Sequence, residues 1–252
     1  MIHTLFFSGT GTTRQTVMEL AARMGGDVSQ HDITPASTDE ITLEEPSDVV
    51  IIGMPVYAGR IPSLAAERLR KVHGRGQYAI AVCVYGNRHY DDALVELCDI
   101  ATAQGFRPIA AGAFIAEHCI FPEVAKSRPD SCDTDKIETF ASLCRERLAG
   151  DSTFDIRSVK GNRPYRKPGA VPLHPKARRS LCVGCGVCAG ECPAGAIDPA
   201  RPYLTDNNKC ISCCRCIKVC PADARKFRGL LYSLAGRKFV KDNSRRREPE
   251  WF

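Results

Sequence analysis

Residues 181–193 read LCVGCGVCAGECP, and residues 209–221 read KCISCCRCIKVCP. Cys182, Cys185, Cys188 and Cys192 follow the spacing C-x2-C-x2-C-x3-C, with Pro193 behind them. The spacing recurs in full at Cys210, Cys213, Cys216 and Cys220, with Pro221 behind them. Three thiolates two residues apart on a tight loop wrap three corners of a small metal body, and the fourth ligand comes from elsewhere. The proline after each fourth cysteine stops the chain continuing as a helix over that body. Zinc is the competing occupant, but its sites want four ligands in two separated pairs, which a repeated three-plus-one run fits poorly. Disulfides are disfavoured by the adjacent Cys213 and Cys214. The opening MIHTLFFSGTGTT has no basic region before its apolar run, so it reads as a first strand and not as an export signal. The expected location is a reducing cytoplasm.

The doubled run resembles the bacterial two-cluster ferredoxins, in which the fourth cysteine of each run serves the other cluster. That resemblance implies one [4Fe–4S] cluster on Cys182, Cys185, Cys188 and Cys220, and another on Cys210, Cys213, Cys216 and Cys192. The internal symmetry is direct: CPAGAI at 192–197 against CPADAR at 220–225. A small α+β two-cluster ferredoxin-like domain is expected over residues 181–227, its clusters standing in for a core. Cys214 is left over and reads as a bystander thiol.

The 252 residues leave room for a second domain. No run of about 18 apolar residues offers a membrane span. Charge divides the chain: residues 1–150 carry 14 Lys and Arg against 20 Asp and Glu, residues 151–252 carry 21 against 9. Nucleic acid is the reflex reading of a basic half and is set aside. A cluster on four thiolates carries about −2, so part of the excess is compensation. The rest is available to steer an acidic partner or to dock the acidic half of the same chain.

Residues 2–7 form a buried apolar run. Ser8, Gly9, Thr10, Gly11, Thr12 and Thr13 follow, then a helical pattern through about Met24. A glycine- and hydroxyl-rich turn at a helix N-terminus is a phosphate site. Gly9-x-Gly11, with Asp32 downstream, fits the start of a dinucleotide fingerprint, but Arg14 stands where its third glycine belongs. Four hydroxylic residues in six suit a terminal monophosphate better; a plain glycine turn is the bland alternative. Strands are expected at 28–33, 48–53, 77–85 and 107–115, with helices from Ser63 to about His73, from 93 to about 103, and from 133 to 149. Residues 34–47 read as a polar connection. Five alternating strands make a doubly wound parallel sheet, whose ligands sit beyond the carboxyl ends of its strands.

Three loops meet at that edge: Ser8–Thr13, then Pro55, Val56, Tyr57, Ala58 and Gly59, then Tyr85, Gly86, Asn87, Tyr90 and Asp92. Together they resemble the flavodoxins over residues 1–150, which implies a bound FMN. In flavodoxins the second loop covers one face of the flavin ring and the third supplies a further contact. Tyr57 is alternatively surface packing, and Asp91 and Asp92 are alternatively helix caps. His118 lies just past a strand end and reads as a satisfied structural histidine. Cys83, Cys98, Cys119, Cys132 and Cys144 lack metal spacing and read as packing residues or free thiols.

Residues 151–180, rich in Pro, Gly and positive charge, are expected to be a linker. Residues 228–252 read as a helix with Leu230, Leu231 and Leu234 on one stripe, then a frayed tail. An aromatic plug formed by Trp251 and Phe252 is the less favoured alternative. The order of parts, with GNRHYDDAL at 86–94, resembles the flavodoxin–ferredoxin fusion proteins of anaerobes. The resemblance implies one FMN and two [4Fe–4S] clusters relaying electrons for redox partner proteins. The alternative is an FMN-dependent oxidoreductase acting on a quinone, disulfide or nitro compound.

Overall fold

The computed structural model describes residues 1–36, 39–150, 153–169 and 171–252. The parts of the 34–47 connection and of the 151–180 segment that fall at 37–38, 151–152 and 170 lie outside the described residues.

The α/β half runs β1 (Ile2–Phe6), α1 (Thr12–Met24), β2 (Val28–Asp32), β3 (Ile41–Thr42), β4 (Val49–Pro55), α2 (Ser63–Leu69), β5 (Val72–His73), β6 (Tyr78–Tyr85), α3 (Ala93–Ala103), β7 (Arg107–Ile115) and α4 (Ser131–Leu148). β2, β1, β4, β6 and β7 lie side by side and parallel, the 2-1-3-4-5 order of a doubly wound sheet. VVIIGMP and YAIAVCVY are nearly continuous apolar runs because both sheet faces are covered. Val50, Ile52 and Met54 pack with residues of α2 and α3, while Ile51, Ile80, Val82 and Val84 pack with residues of α1 and α4. The expected helix to His73 stops at Leu69, and Val72–His73 pairs with Ile41–Thr42 in a two-stranded sheet of its own.

The second half contains β8 (Lys176–Ala177), α5 (Val187–Gly190), α6 (Arg215–Lys218), β9 (Arg225–Lys226), α7 (Leu230–Asn243) and β10 (Glu250–Trp251). β8 pairs antiparallel with β9 and so joins the segment before Cys182 to the segment after Cys220.

The structure adds to the sequence reading in four places. The main sheet has six strands, because β10 adds antiparallel to the free edge of β7. The tail is therefore not frayed: Phe252 exchanges backbone hydrogen bonds with Ala111, and Trp251 packs on Phe140 at 6.1 Å between ring centroids. On α7 the leucine stripe faces outward, with Leu230 75% exposed; Tyr232, Ala235, Phe239 and Val240 face the protein instead. Finally, the described part of 151–180 is docked. Asn162 and Arg166 donate backbone N–H groups to Asp92, Arg163 pairs with Asp99, and Arg166 pairs with Asp91.

Candidate redox centres and the seam between them

The eight spaced cysteines fall into two groups. Cys182, Cys185, Cys188 and Cys220 line one cavity, and Cys192, Cys210, Cys213 and Cys216 line another, with the unspaced Cys214 also on its wall. Each group thus draws three cysteines from one run and the last from the other. Among the described residues no group of three or more His, Cys, Asp or Glu closes to the spacing a single metal ion needs. Each group of four lines a cavity, an arrangement that a polynuclear cluster would fit. Burial pushes the Cys213 and Cys216 thiols up, Cys216 to about 11, and the crowding of neighbouring sulfurs adds to it. Iron would stabilise these sulfurs as thiolates.

The two runs share a backbone device. Ala196 N–H donates to Cys192 Sγ and Ala224 N–H to Cys220 Sγ, both at 3.3 Å. The residue before each donor, Gly195 or Asp223, has positive φ, which turns the amide back onto the sulfur. The first run places glycine at each of three left-handed positions: Gly184, Gly186 and Gly195. The second places Ser212, Cys214 and Asp223 there, although a side chain in this region costs roughly 1–2 kcal/mol. Two of those side chains dock the second run: Ser212 Oγ donates to Leu173 O at 2.6 Å, and Cys214 Sγ to Cys119 O at 3.3 Å. Cys214 is thus no bystander pointing away, but is buried in the seam.

In the α/β half, Gly11 sits at the N-terminus of α1 with φ +94° and, being glycine, offers no capping side chain of its own. Ser8 Oγ accepts from Arg14 N–H, and Thr10 and Thr12 share a hydroxyl contact at 3.2 Å. The backbone N–H groups of Gly9 to Thr13 donate to no protein acceptor among the described residues. Uncapped N–H groups with flanking hydroxyls are the donor set a phosphate needs. A cleft runs from this loop past Pro55, Val56, Tyr57, Tyr85 and Gly86 to His118 and Cys119. It adjoins a cavity of about 340 Å³ lined by Val56, Ala58, Gly59, Tyr85, Gly86 and Phe239, among others. The tight turn Tyr57–Arg60, with positive φ at Ala58 and Gly59, forms one wall. The apolar walls and phosphate-ready mouth fit a flavin mononucleotide.

Asn87, Tyr90 and Asp92 are corrected. They lie outside both the cleft and the cavity. The Asn87 amide donates to Asn243 O and Arg245 O, clamping the tail. Tyr90 is buried and donates to Glu250 at 2.8 Å. Burial works against the Asp92 charge, yet N–H groups of Arg166 and Asn162 hold its carboxyl below the usual range; its side chain does not cap α3. Arg88, His89, Arg166 and Phe121 line the cavity and were not singled out from sequence. The first two lie inside the third loop; Arg166 and Phe121 carry no local signal.

His118 is satisfied structurally, since its Nδ1 accepts from Ile120 and Phe121 N–H groups, and it also lines both the cleft and the cavity. Burial, then the nearby Arg88 charge, lower its pKa to about 4, against a stabilising local backbone hydrogen bond. The two halves touch directly at Gly9. A Cβ there would lie 2.5 Å from the Cys213 carbonyl oxygen and 3.2 Å from the Tyr57 hydroxyl. Burial raises the Tyr57 pKa, and the Cys213, Cys119 and Cys214 sulfurs raise it further.

The 4Fe–4S binding domain family (Fer4) matches this chain twice, at residues 176–198 and 203–226. Over 49 residues the chain is 43% identical to one component of an ion-translocating oxidoreductase complex from Methanosarcina acetivorans. That stretch is 19% of this chain and 18% of the relative, so the chain spans under a fifth of that protein. The chain is also similar to a flavodoxin from Streptococcus pneumoniae TIGR4, with 15% identity and a TM-score of 0.41, covering 60% of this chain and 99% of that one. A flavodoxin from the domain Archaea gives 12% identity and 0.41, covering 59% and 98%. Sheet order and cysteine motif together define a flavodoxin-like α/β domain joined to a 4Fe–4S ferredoxin domain. The chain thus carries a flavodoxin-like fold and, after it, two segments with the 4Fe–4S binding motif. No helix among the described residues is long and apolar enough to cross a membrane.

Proposed function

We propose that the chain relays electrons between two [4Fe–4S] clusters and one FMN, coupling one-electron to two-electron carriers for redox partner proteins in a reducing cytoplasm. Cys182, Cys185, Cys188 and Cys220 hold the first cluster; Cys192, Cys210, Cys213 and Cys216 hold the second. The N–H groups of Gly9 to Thr13, with the Thr10, Thr12 and Thr13 hydroxyls, hold the phosphate. Val56, Ala58, Gly59, Tyr85 and Gly86 flank the ring. Clusters pass single electrons and a flavin takes one or two, so one chain carrying both converts between carrier types.

The observation that carries this reading is the contact between Gly9 in the phosphate loop and Cys213 in the second run. It supports a short passage between the second cluster and the flavin. The first run is the outward one: Val183 beside it is 72% exposed and Cys185 is exposed. Exchange with a partner protein takes place there.

Anaerobic stepwise reduction followed by visible and EPR spectra tests the proposal. About eight irons per chain, a yellow nucleotide and three centres titrating in one chain are expected. Zinc in place of iron, or a colourless preparation with no nucleotide, would sink it. A second reading, reduction of a small acceptor, is favoured by a cavity of about 420 Å³ beside the second run, lined by Tyr57, His174, Asn208 and Cys210 among others. Steady-state assays with quinones, disulfides and nitro compounds decide between them, since a pure relay turns over none.

A further inference from the structure

We propose that Cys119 and Cys214 form a dithiol–disulfide couple, a redox centre separate from the eight cysteines of the two cavities, with small disulfides as its oxidant. Cys119 belongs to the loop after β7 and Cys214 to the second run, and the two meet across the seam, where each shifts the other's pKa: Cys214 lowers that of Cys119 and Cys119 raises that of Cys214. Cys214 Sγ also reaches the Cys119 carbonyl oxygen at 3.3 Å.

The backbone sets Cys214 apart from a packing cysteine. It holds φ +64° where the first run has Gly186 at φ +73°. Glycine occupies that conformation without strain, and the first loop uses it. A side chain held in a strained place by its surroundings points to a role for that side chain. Its partner lies nearer the surface. Cys119 is partly exposed and lines the cleft that also contains Thr10, Tyr57 and His118, whereas Cys214 is only 3% exposed. A small disulfide entering the cleft therefore meets Cys119 first.

The chemistry is thiol–disulfide exchange. The Cys119 sulfur attacks one sulfur of the incoming disulfide; that S–S bond breaks, a mixed disulfide forms, and one half leaves as a thiol carrying a proton. The Cys214 sulfur then attacks the Cys119 side of the mixed disulfide. The second half leaves as a thiol, and the Cys119–Cys214 bond closes. The pair gives up two electrons and two protons, and one small disulfide becomes two thiols. The product ties the loop that carries Cys213 covalently to the α/β half. Entry of the disulfide needs the Cys119 end of the cleft open, so the exchange belongs to the chain with no nucleotide in the cleft.

The test uses the full chain with its clusters assembled and no nucleotide in the cleft, held under argon and exposed to 2-hydroxyethyl disulfide. Peptides are mapped without reduction while cluster absorbance is followed. A Cys119–Cys214 crosslinked peptide that dithiothreitol reverses, with cluster absorbance retained, is the expected result. Cys214→Gly places in the second run the residue the first run already uses there, so the loop backbone is kept. This variant should trap Cys119 as a stable mixed disulfide and lose the crosslink entirely. In Cys119→Ser, Cys214 should stay unmodified. Recovery of both cysteines as free thiols in the unsubstituted chain, or as two separate mixed disulfides, would overturn the proposal. So would modification of Cys214 in the Cys119→Ser variant.

Discussion

Replacing Gly9 with alanine tests the seam at its tightest point. The added Cβ would stand 2.5 Å from the Cys213 carbonyl oxygen and 3.0 Å from Cys213 Cβ. Ordinary contact begins near 3.4 Å, so one of the two loops must give by about 0.9 Å. Neither loop has a flexible side chain to move at that point, because the opposing atom is backbone. Overpacking of this kind costs about 1–3 kcal/mol. Gly11→Ala is the control. It sits in the same loop at φ +94° with nothing within 4 Å of the new atom, so it strains the loop but leaves the seam alone. Hydrogen exchange of the Ile217 and Lys218 amides, which donate to Cys214 O, reads the difference. Gly9→Ala should lower protection there at least fivefold, about 1 kcal/mol, and slow electron passage between the halves; Gly11→Ala should do neither. Equal protection in both variants would show that the second run does not rest on the phosphate loop, and the proposed passage between cluster and flavin would lose its support.

Two further outcomes follow from the site. Thr10→Glu with Thr12→Glu places negative charge within a few ångströms of a bound phosphate, worth about 1–4 kcal/mol. FMN affinity measured by fluorescence should fall tenfold or more, and unchanged affinity would put the phosphate elsewhere. His118 should make the protein acid-sensitive. Its folded pKa of about 4 lies below the ordinary 6.5, so the unfolded chain binds a proton first. Stability present above pH 6.5 should fall by about 3 kcal/mol as pH drops from 6.5 to 4. Urea titrations of His118→Gln across that window should be flatter than those of the unsubstituted chain, and parallel curves would refute the assignment.

What could be read in advance was local. A metal run declares itself within a dozen residues, so the eight cysteines could be singled out from the sequence, while their crossed grouping rests on the ferredoxin resemblance. The turn at 8–13 could be proposed for a phosphate because its donors are consecutive backbone amides, and the strands were legible because burial on both faces leaves unbroken apolar runs. Long-range contacts were not. Asn87, Tyr90 and Asp92 looked like ligand contacts because they stand at the right edge of the sheet. Their polar groups are taken by residues 162–166 and 243–250, which no local pattern announces. β10 is two residues long and carries no periodicity. The α7 leucines formed the more obvious stripe, but the buried face was decided by Phe121, more than a hundred residues earlier. Cys214 looked spare because its partner, Cys119, lies in the other half.

The charge division of the chain has a corresponding answer in the seam. Arg163, Arg166 and Arg246 of the basic half pair with Asp99, Asp91 and Asp130 of the acidic half, so docking within the chain accounts for part of the excess. Those pairs do not hold the halves together. Each Arg is more than 40% exposed, and exposed pairs contribute about 0.2–1 kcal/mol apiece. At 1 M salt the screening length shrinks to about 3 Å and most of that disappears. The apolar contact is larger. Phe121 is 5% exposed, stacks on Tyr232 at 5.3 Å and meets Phe239 at 5.0 Å, with Ile120 and Val124 buried beside it. Phe121→Ala should cost about 3–5 kcal/mol. The halves should therefore unfold together in 1 M salt and come apart into two transitions in Phe121→Ala at low salt. The reverse pattern, salt separating the halves while Phe121→Ala leaves one transition, would mean that charge and not packing joins the two domains.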